Sequence, residues 1–100
     1  MLPLKIKDLI NKLFNETSLG KITWSCSYDS ISYQGKNNTI YITYHFNYIE
    51  ELGNYIITIK PGNNKDYCFN VLSNDKDYEI LRSLFEASNK CIIDLDIDNF

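Results

Sequence analysis

No apolar run in this 100-residue chain approaches the roughly 20 residues that a membrane-spanning helix needs. Residues 1–15 mix charge with apolar side chains and lack the uninterrupted apolar segment of a signal peptide. These two absences predict a cytoplasmic protein with no membrane partner. Cysteine is sparse. Cys26, Cys68 and Cys91 are odd in number and contain no C-x-x-C pair, which points away from a disulfide framework and from a zinc site. They are expected to be buried free thiols that pack as small apolar groups. Basic charge is also short. Ten Lys and Arg stand against 13 Asp and Glu, for a formal net charge of −3, and the densest basic stretch is Lys5–Ile6–Lys7. Binding to a phosphate backbone needs a Lys/Arg surface, so this balance argues against nucleic acid as a partner. The four glycines, at 20, 35, 53 and 62, stand singly and form no phosphate cradle.

Large side chains, in contrast, are plentiful. Eight Tyr, five Phe and one Trp are enough to build a core, and 44% hydrophobic with 23% charged residues is an ordinary globular balance. The length suits one domain over residues 1–100.

Along residues 2–15, Leu2, Ile6, Leu9, Ile10, Leu13 and Phe14 recur at the spacing of one helical face. Gly20 punctuates this helix. Residues 21–29 then alternate: Ile22, Trp24, Cys26 and Tyr28 point one way, Thr23, Ser25 and Ser27 the other. Residues 34–38 read as a turn. Residues 39–48 alternate again, with Ile40, Ile42, Tyr44, Phe46 and Tyr48 on one face and Thr39, Tyr41, Thr43, His45 and Asn47 on the other. A reversal is expected at Leu52–Gly53–Asn54. A third strand follows over 55–60, then a turn at Pro61–Gly62–Asn63–Asn64 and a fourth strand over 66–72. Short turns impose antiparallel pairing, since a parallel pair needs a long crossover. Asp75 is a candidate N-cap for a second helix, with the stripe Tyr78, Leu81, Leu84 and Phe85 running on to Ser88. The fold class is therefore expected to be α+β: N-terminal helix, four-stranded antiparallel meander, C-terminal helix. The tail, residues 91–100, is compatible with a fifth strand, a short helix or a loosely docked end.

Chemistry-bearing patterns are few. Asp94, Asp96 and Asp98 alternate as in the opening of a calcium loop, but Asn99 stands where that loop needs glycine for its turn. No metal and no cofactor is expected. His45 is the only histidine; a triad would require a nucleophile and an orienting acid beside it, and the sequence signals neither. Glu50 and Glu51 are adjacent and point apart on an extended chain, which makes them a poor acid/base pair. A hydrolase built around His45 thus requires carboxylates or a thiol brought near by the fold. The sheet tyrosines are the remaining clue, because exposed aromatic residues are favoured at interfaces.

Thr17–Ser18–Leu19–Gly20–Lys21–Ile22–Thr23–Trp24 forms a T-x-x-G-K-[IL]-x-W segment behind the first helix. Together with Tyr55-x-Ile57-x-Ile59 and Tyr78-x-x-Leu81-x-x-Leu84-Phe85-x-Ala87, it resembles a widespread group of small, uncharacterised bacterial proteins. Phe85 and Ser88 stand where that group usually has Tyr and Arg. The resemblance implies a helix–meander–helix order in a bacterium or phage, and no activity.

The expected function is a small non-enzymatic protein-interaction module, such as an inhibitor, immunity or accessory factor. Tyr41, Thr43 and His45 are its candidate binding residues. The partner is expected to be another protein, and self-association through the sheet is compatible with this. The alternative is a homodimer that binds a nucleotide-like small molecule in a tyrosine-lined pocket.

Overall fold

In the computed structural model, which describes residues 2–27, 29–62 and 65–88, helix α1 (Leu4–Ser18) turns its apolar stripe inward and buries Ile10 and Leu13. Its C-terminus is closed by a Schellman motif. Gly20, at φ 75°, donates from its N–H to Thr17 O, and Lys21 donates from its N–H to Glu16 O at 2.9 Å. Only a residue that tolerates the left-handed region completes this turn cheaply, which is the physical content of the T-x-x-G-K spacing. The same segment supplies a second lock. Thr17 Oγ1 donates to Leu13 O at 2.6 Å and accepts the Trp24 indole N–H at 2.9 Å. Trp24 is buried beneath the helix and leans on Tyr33, ring centroids 5.5 Å apart.

Five strands follow in sequence order as one antiparallel meander: β1 (Ser25–Cys26), β2 (Ser30–Gln34), β3 (Asn38–Asn47), β4 (Leu52–Pro61) and β5 (Tyr67–Leu72). The expected α+β class and the helix–meander–helix order hold, but the described residues form five strands where four were expected. The long first strand expected over 21–29 does not form. The Ser27 N–H donates to Ser30 O at 2.8 Å and the two hydroxyls bond each other at 2.6 Å, which reverses the chain inside that stretch. Only Ser25 and Cys26 remain in the ladder, and residues beyond the reversal build β2. The faces are nonetheless as the alternation predicted: Trp24 is buried and Ile22 and Cys26 are half-buried, whereas Thr23, Ser25 and Ser27 are exposed.

The reversal expected at 52–54 also moves. Asn47 pairs with Leu52, so the loop is 48–51. It is set by the Asn47 side chain, whose Oδ1 accepts the Ile49 N–H at 2.9 Å, and by Glu51, which takes the positive φ of 55°. Tyr48 accordingly leaves the strand and is exposed. Two expectations about cysteine are corrected as well. Cys68 is free and exposed, and Cys26 is disulfide-bonded, where buried free thiols were expected. Tyr28, Asn63, Asn64, Cys91 and the acidic tail 91–100 lie outside the described residues.

Helix α2 (Tyr78–Ser88) begins three residues beyond Asp75, the expected N-cap, whose Oδ1 accepts the Asp77 N–H at 2.9 Å in the turn that leads into the helix. Asp77 itself is buried. Its carboxylate accepts the Leu2 N–H at 2.8 Å and sits 3.3 Å from Lys7 Nζ, tying the start of α2 to the start of α1. Both helices cover the same sheet face. Ile10 and Leu13 of α1 and Leu81, Leu84 and Phe85 of α2 join Ile31, Ile40, Ile42, Tyr55, Ile57 and Val71 in a single core. No helix among the described residues is long and apolar enough to cross a membrane.

Candidate functional site

Both helices lie on one side of the sheet, so the other side is an uncovered plane among the described residues. Antiparallel register lays its side chains out in rows. One row runs Ser25, Ser32, Tyr41, Thr58 and Cys68 across all five strands. The next runs Ser30, Thr43, Ile56 and Asn70, and a third sets His45, Asn54 and Leu72 side by side. Tyr41, Thr43 and His45, the candidate binding residues, therefore do share this outer face, at alternate positions of β3. Tyr41 is 40% exposed and lies with Lys60 Nζ 5.7 Å from its ring centroid. Thr43 is half-buried between Ser30 and Ile56, and His45 is exposed opposite Asn54. Asn54 is buried and donates from Nδ2 to Asn70 Oδ1. Among the described residues no cluster of three or more His, Cys, Asp or Glu side chains could hold a metal ion.

The inner face holds a second concentration of aromatic side chains. Tyr44 stands opposite Tyr55 with centroids 5.1 Å apart. Tyr55 in turn packs on Tyr78 at 5.1 Å and on Phe85 at 5.5 Å, both from α2. Gly53 makes room for this group, since a Cβ there would overlap the Tyr44 hydroxyl and ring. Burial, followed by the neighbouring phenols of Tyr78 and Tyr44, pushes the Tyr55 hydroxyl well above the ordinary phenol range. Burial pushes Tyr78 up too, with the adjacent Tyr44 adding to the effect. The mouth of the cluster is an open cleft of about 400 Å³, where Arg82 and Glu86 join Tyr44, Tyr55, Tyr78 and Phe85. Arg82 is committed to Glu86, Nε to Oε1 3.2 Å, and lies 3.9 Å from Glu79.

No family model, curated protein or solved structure matches the chain. What the protein does must therefore be argued from its surfaces. The outer plane offers a tyrosine, a histidine and many small hydroxyl and amide groups, which suits contact with another surface. The Tyr44–Tyr55–Tyr78 cleft offers aromatic walls beside a guanidinium already paired with Glu86, which suits a small planar ligand. Sequence reasoning missed this second group because it expected the reversal at 52–54, whereas the chain turns at 48–51 and sets Tyr44 opposite Tyr55. The signal available was the helical pair Tyr78 and Arg82, four residues apart on one face.

Proposed function

We propose that this protein is a non-enzymatic interaction module, an inhibitor, immunity or accessory factor of a bacterium or phage, that holds another protein on the outer face of its sheet. The observation that carries this reading is Tyr41. It sits half out of a face that no helix among the described residues covers, at the centre of a row of small side chains, with Lys60 over its ring. A large rigid aromatic ringed by small polar groups is the composition of an interface centre, where such a residue supplies contact area at low entropic cost. His45 supports the same reading. It is exposed on that plane opposite the Asn54 amide.

The test is affinity capture from a bacterial lysate with wild type, Tyr41→Ala and His45→Ala side by side, followed by mass spectrometry of co-eluting proteins and heat-released small molecules. A stoichiometric partner held by wild type and lost with Tyr41→Ala is the expected result. A partner held equally by all three removes the outer face from consideration.

One observation favours a second reading. The cleft lined by Tyr44, Tyr55, Tyr78 and Arg82 has the rings and the cation that a nucleotide-like ligand would use. That reading expects a released small molecule without a partner protein, and a ligand-induced rise in melting temperature that Arg82→Ala abolishes.

A further inference from the structure

The two edges of the sheet are built differently. β1 is a two-residue edge, too short to template another chain. β5 is six residues long, and its sequence, Tyr67-Cys68-Phe69-Asn70-Val71-Leu72, contains neither a charge nor a proline. Ladder polarity shows which of its groups are open. The Ser73 N–H donates to Gly53 O at 3.0 Å, which turns the backbone of residue 73, and by alternation of 71, 69 and 67, toward β4. The N–H and C=O groups of Cys68 and Asn70 and the N–H of Leu72 therefore face away from the sheet, while the Leu72 C=O accepts the Asp75 N–H at 2.9 Å, and β5 pairs with β4 alone among the described residues.

Beside this edge, on the helix-covered side, α1 stops short of closing over the sheet. It leaves an open groove of about 640 Å³ whose floor and walls are Ile6, Leu9, Ile59 and Phe69. A strand added to β5 would send every second side chain over this groove and the alternate ones over the outer face. The groove's rim carries charge from α1. Lys5 and Lys12 line it and make no ion pair among the described residues, whereas Asp8 also lines it and leaves one net positive charge.

We infer that the β5 edge is a strand-addition site for an extended segment of another protein, apolar at alternate positions and carrying carboxylates that meet Lys5 and Lys12. The backbone of Cys68, Asn70 and Leu72 supplies the pairing, the groove supplies the choice of apolar side chains, and the lysines supply the preference for acid. A second copy of this chain fits less well, because two β5 edges paired about a two-fold axis bring the same lysine-rimmed grooves to the same side. This site is separate from the outer face around Tyr41 and does not depend on it.

The probe is a short synthetic peptide alternating valine and aspartate, with a valine–lysine peptide as its control. Each is titrated into isotope-labelled protein and followed by amide resonances and hydrogen exchange. The expected result is saturable binding of the aspartate peptide, with shifts and slowed exchange at Cys68, Asn70 and Leu72. Cys68→Pro deletes one outward donor without touching the ladder to β4, and should weaken binding about tenfold or more. Lys5→Glu combined with Lys12→Glu, both on the helix surface, should weaken it several-fold to about tenfold, and this variant serves if the proline variant fails to fold. Tyr41→Ala should leave the affinity unchanged. Equal binding of the lysine peptide, undiminished binding by Cys68→Pro, or shifts confined to Ser32, Tyr41 and Thr58 would each overturn the assignment. So would failure of the aspartate peptide to bind, or a wild-type dimer that Cys68→Pro dissolves, which would give the edge to a second copy.

Discussion

The two faces of the sheet are made by the same strands, yet they have opposite characters. On the inner face Ile40, Ile42, Ile57 and Val71 are buried, and Tyr44 packs on Tyr55, which in turn packs on Tyr78 and Phe85 of α2. On the outer face their immediate neighbours Tyr41, Thr43, Thr58 and Asn70 are exposed or half-buried. A period of two divides the side chains, but the helices decide what each half is worth. They cover one face, so a tyrosine there is a core residue and its counterpart one position away is surface. The difference teaches where stability and recognition can be altered separately: inner-face changes should act on folding, outer-face changes on partners.

The largest separation is expected at Trp24. Trp24→Ala should cost roughly 3–5 kcal/mol, read as a drop in urea midpoint, because it empties the space under α1 and leaves Tyr33 without its neighbour. A midpoint that hardly moves would place Trp24 outside the core. Next comes Gly53→Ala, at about 1–3 kcal/mol, since the added methyl meets the Tyr44 ring, which Tyr55 holds in place. Combining it with Tyr44→Ala should recover part of the loss, and strict additivity would show that the two do not touch. Thr17→Val should cost about 1–2 kcal/mol, because the buried indole N–H loses its acceptor.

The pH dependence belongs to the inner face as well. The Tyr55 phenol is pushed up on folding, first by burial and then by Tyr78. Its unfolded value is about 10, so the neutral form contributes its full stability below that pH, and the contribution is lost as pH rises through the raised folded value. Stability should therefore fall above about pH 10, and Tyr55→Phe should flatten that alkaline limb in thermal melts. An unchanged slope in Tyr55→Phe would mean that another group controls it.

Much of this division was legible in the sequence. Helical spacing in α1 and α2 and alternation in β3 each express a local period, and the structure keeps them; the turn expected at 61–64 falls in part outside the described residues. The faces of Tyr41, Thr43 and His45 follow from the same period. The failures have a common cause. At Ser27–Ser30 two hydroxyls close a reversal in a stretch whose alternation continues on either side, so the periodic signal ran through a bend. At 48–51 the turn depends on the Asn47 side chain and a non-glycine residue at positive φ, and Gly53, which looks like the turn residue, is instead the floor under Tyr44. A turn misplaced by a few residues shifts register, and register is what brings Tyr44, Tyr55 and Tyr78 together. That cluster and the open β5 edge arise from pairing across the sheet, which no local period encodes.

The smallest expected effect tests the comparison most directly. Tyr41 and Tyr55 are the same residue type on neighbouring strands, one on each face. Tyr55→Ala should resemble Trp24→Ala, at roughly 3–5 kcal/mol, because Tyr44, Tyr78 and Phe85 all lose a partner. Tyr41→Ala removes only contact with Ser32 and Thr58 across the strands and the Lys60 ammonium over the ring, an exposed cation–π pair of about 0.5–1 kcal/mol. Its stability should thus fall by no more than about 1 kcal/mol, while capture of an outer-face partner is lost. If Tyr41→Ala is instead as damaging as Tyr55→Ala in denaturant melts of the isolated protein, the outer face is not free, and the argument that assigns it to a partner fails with it.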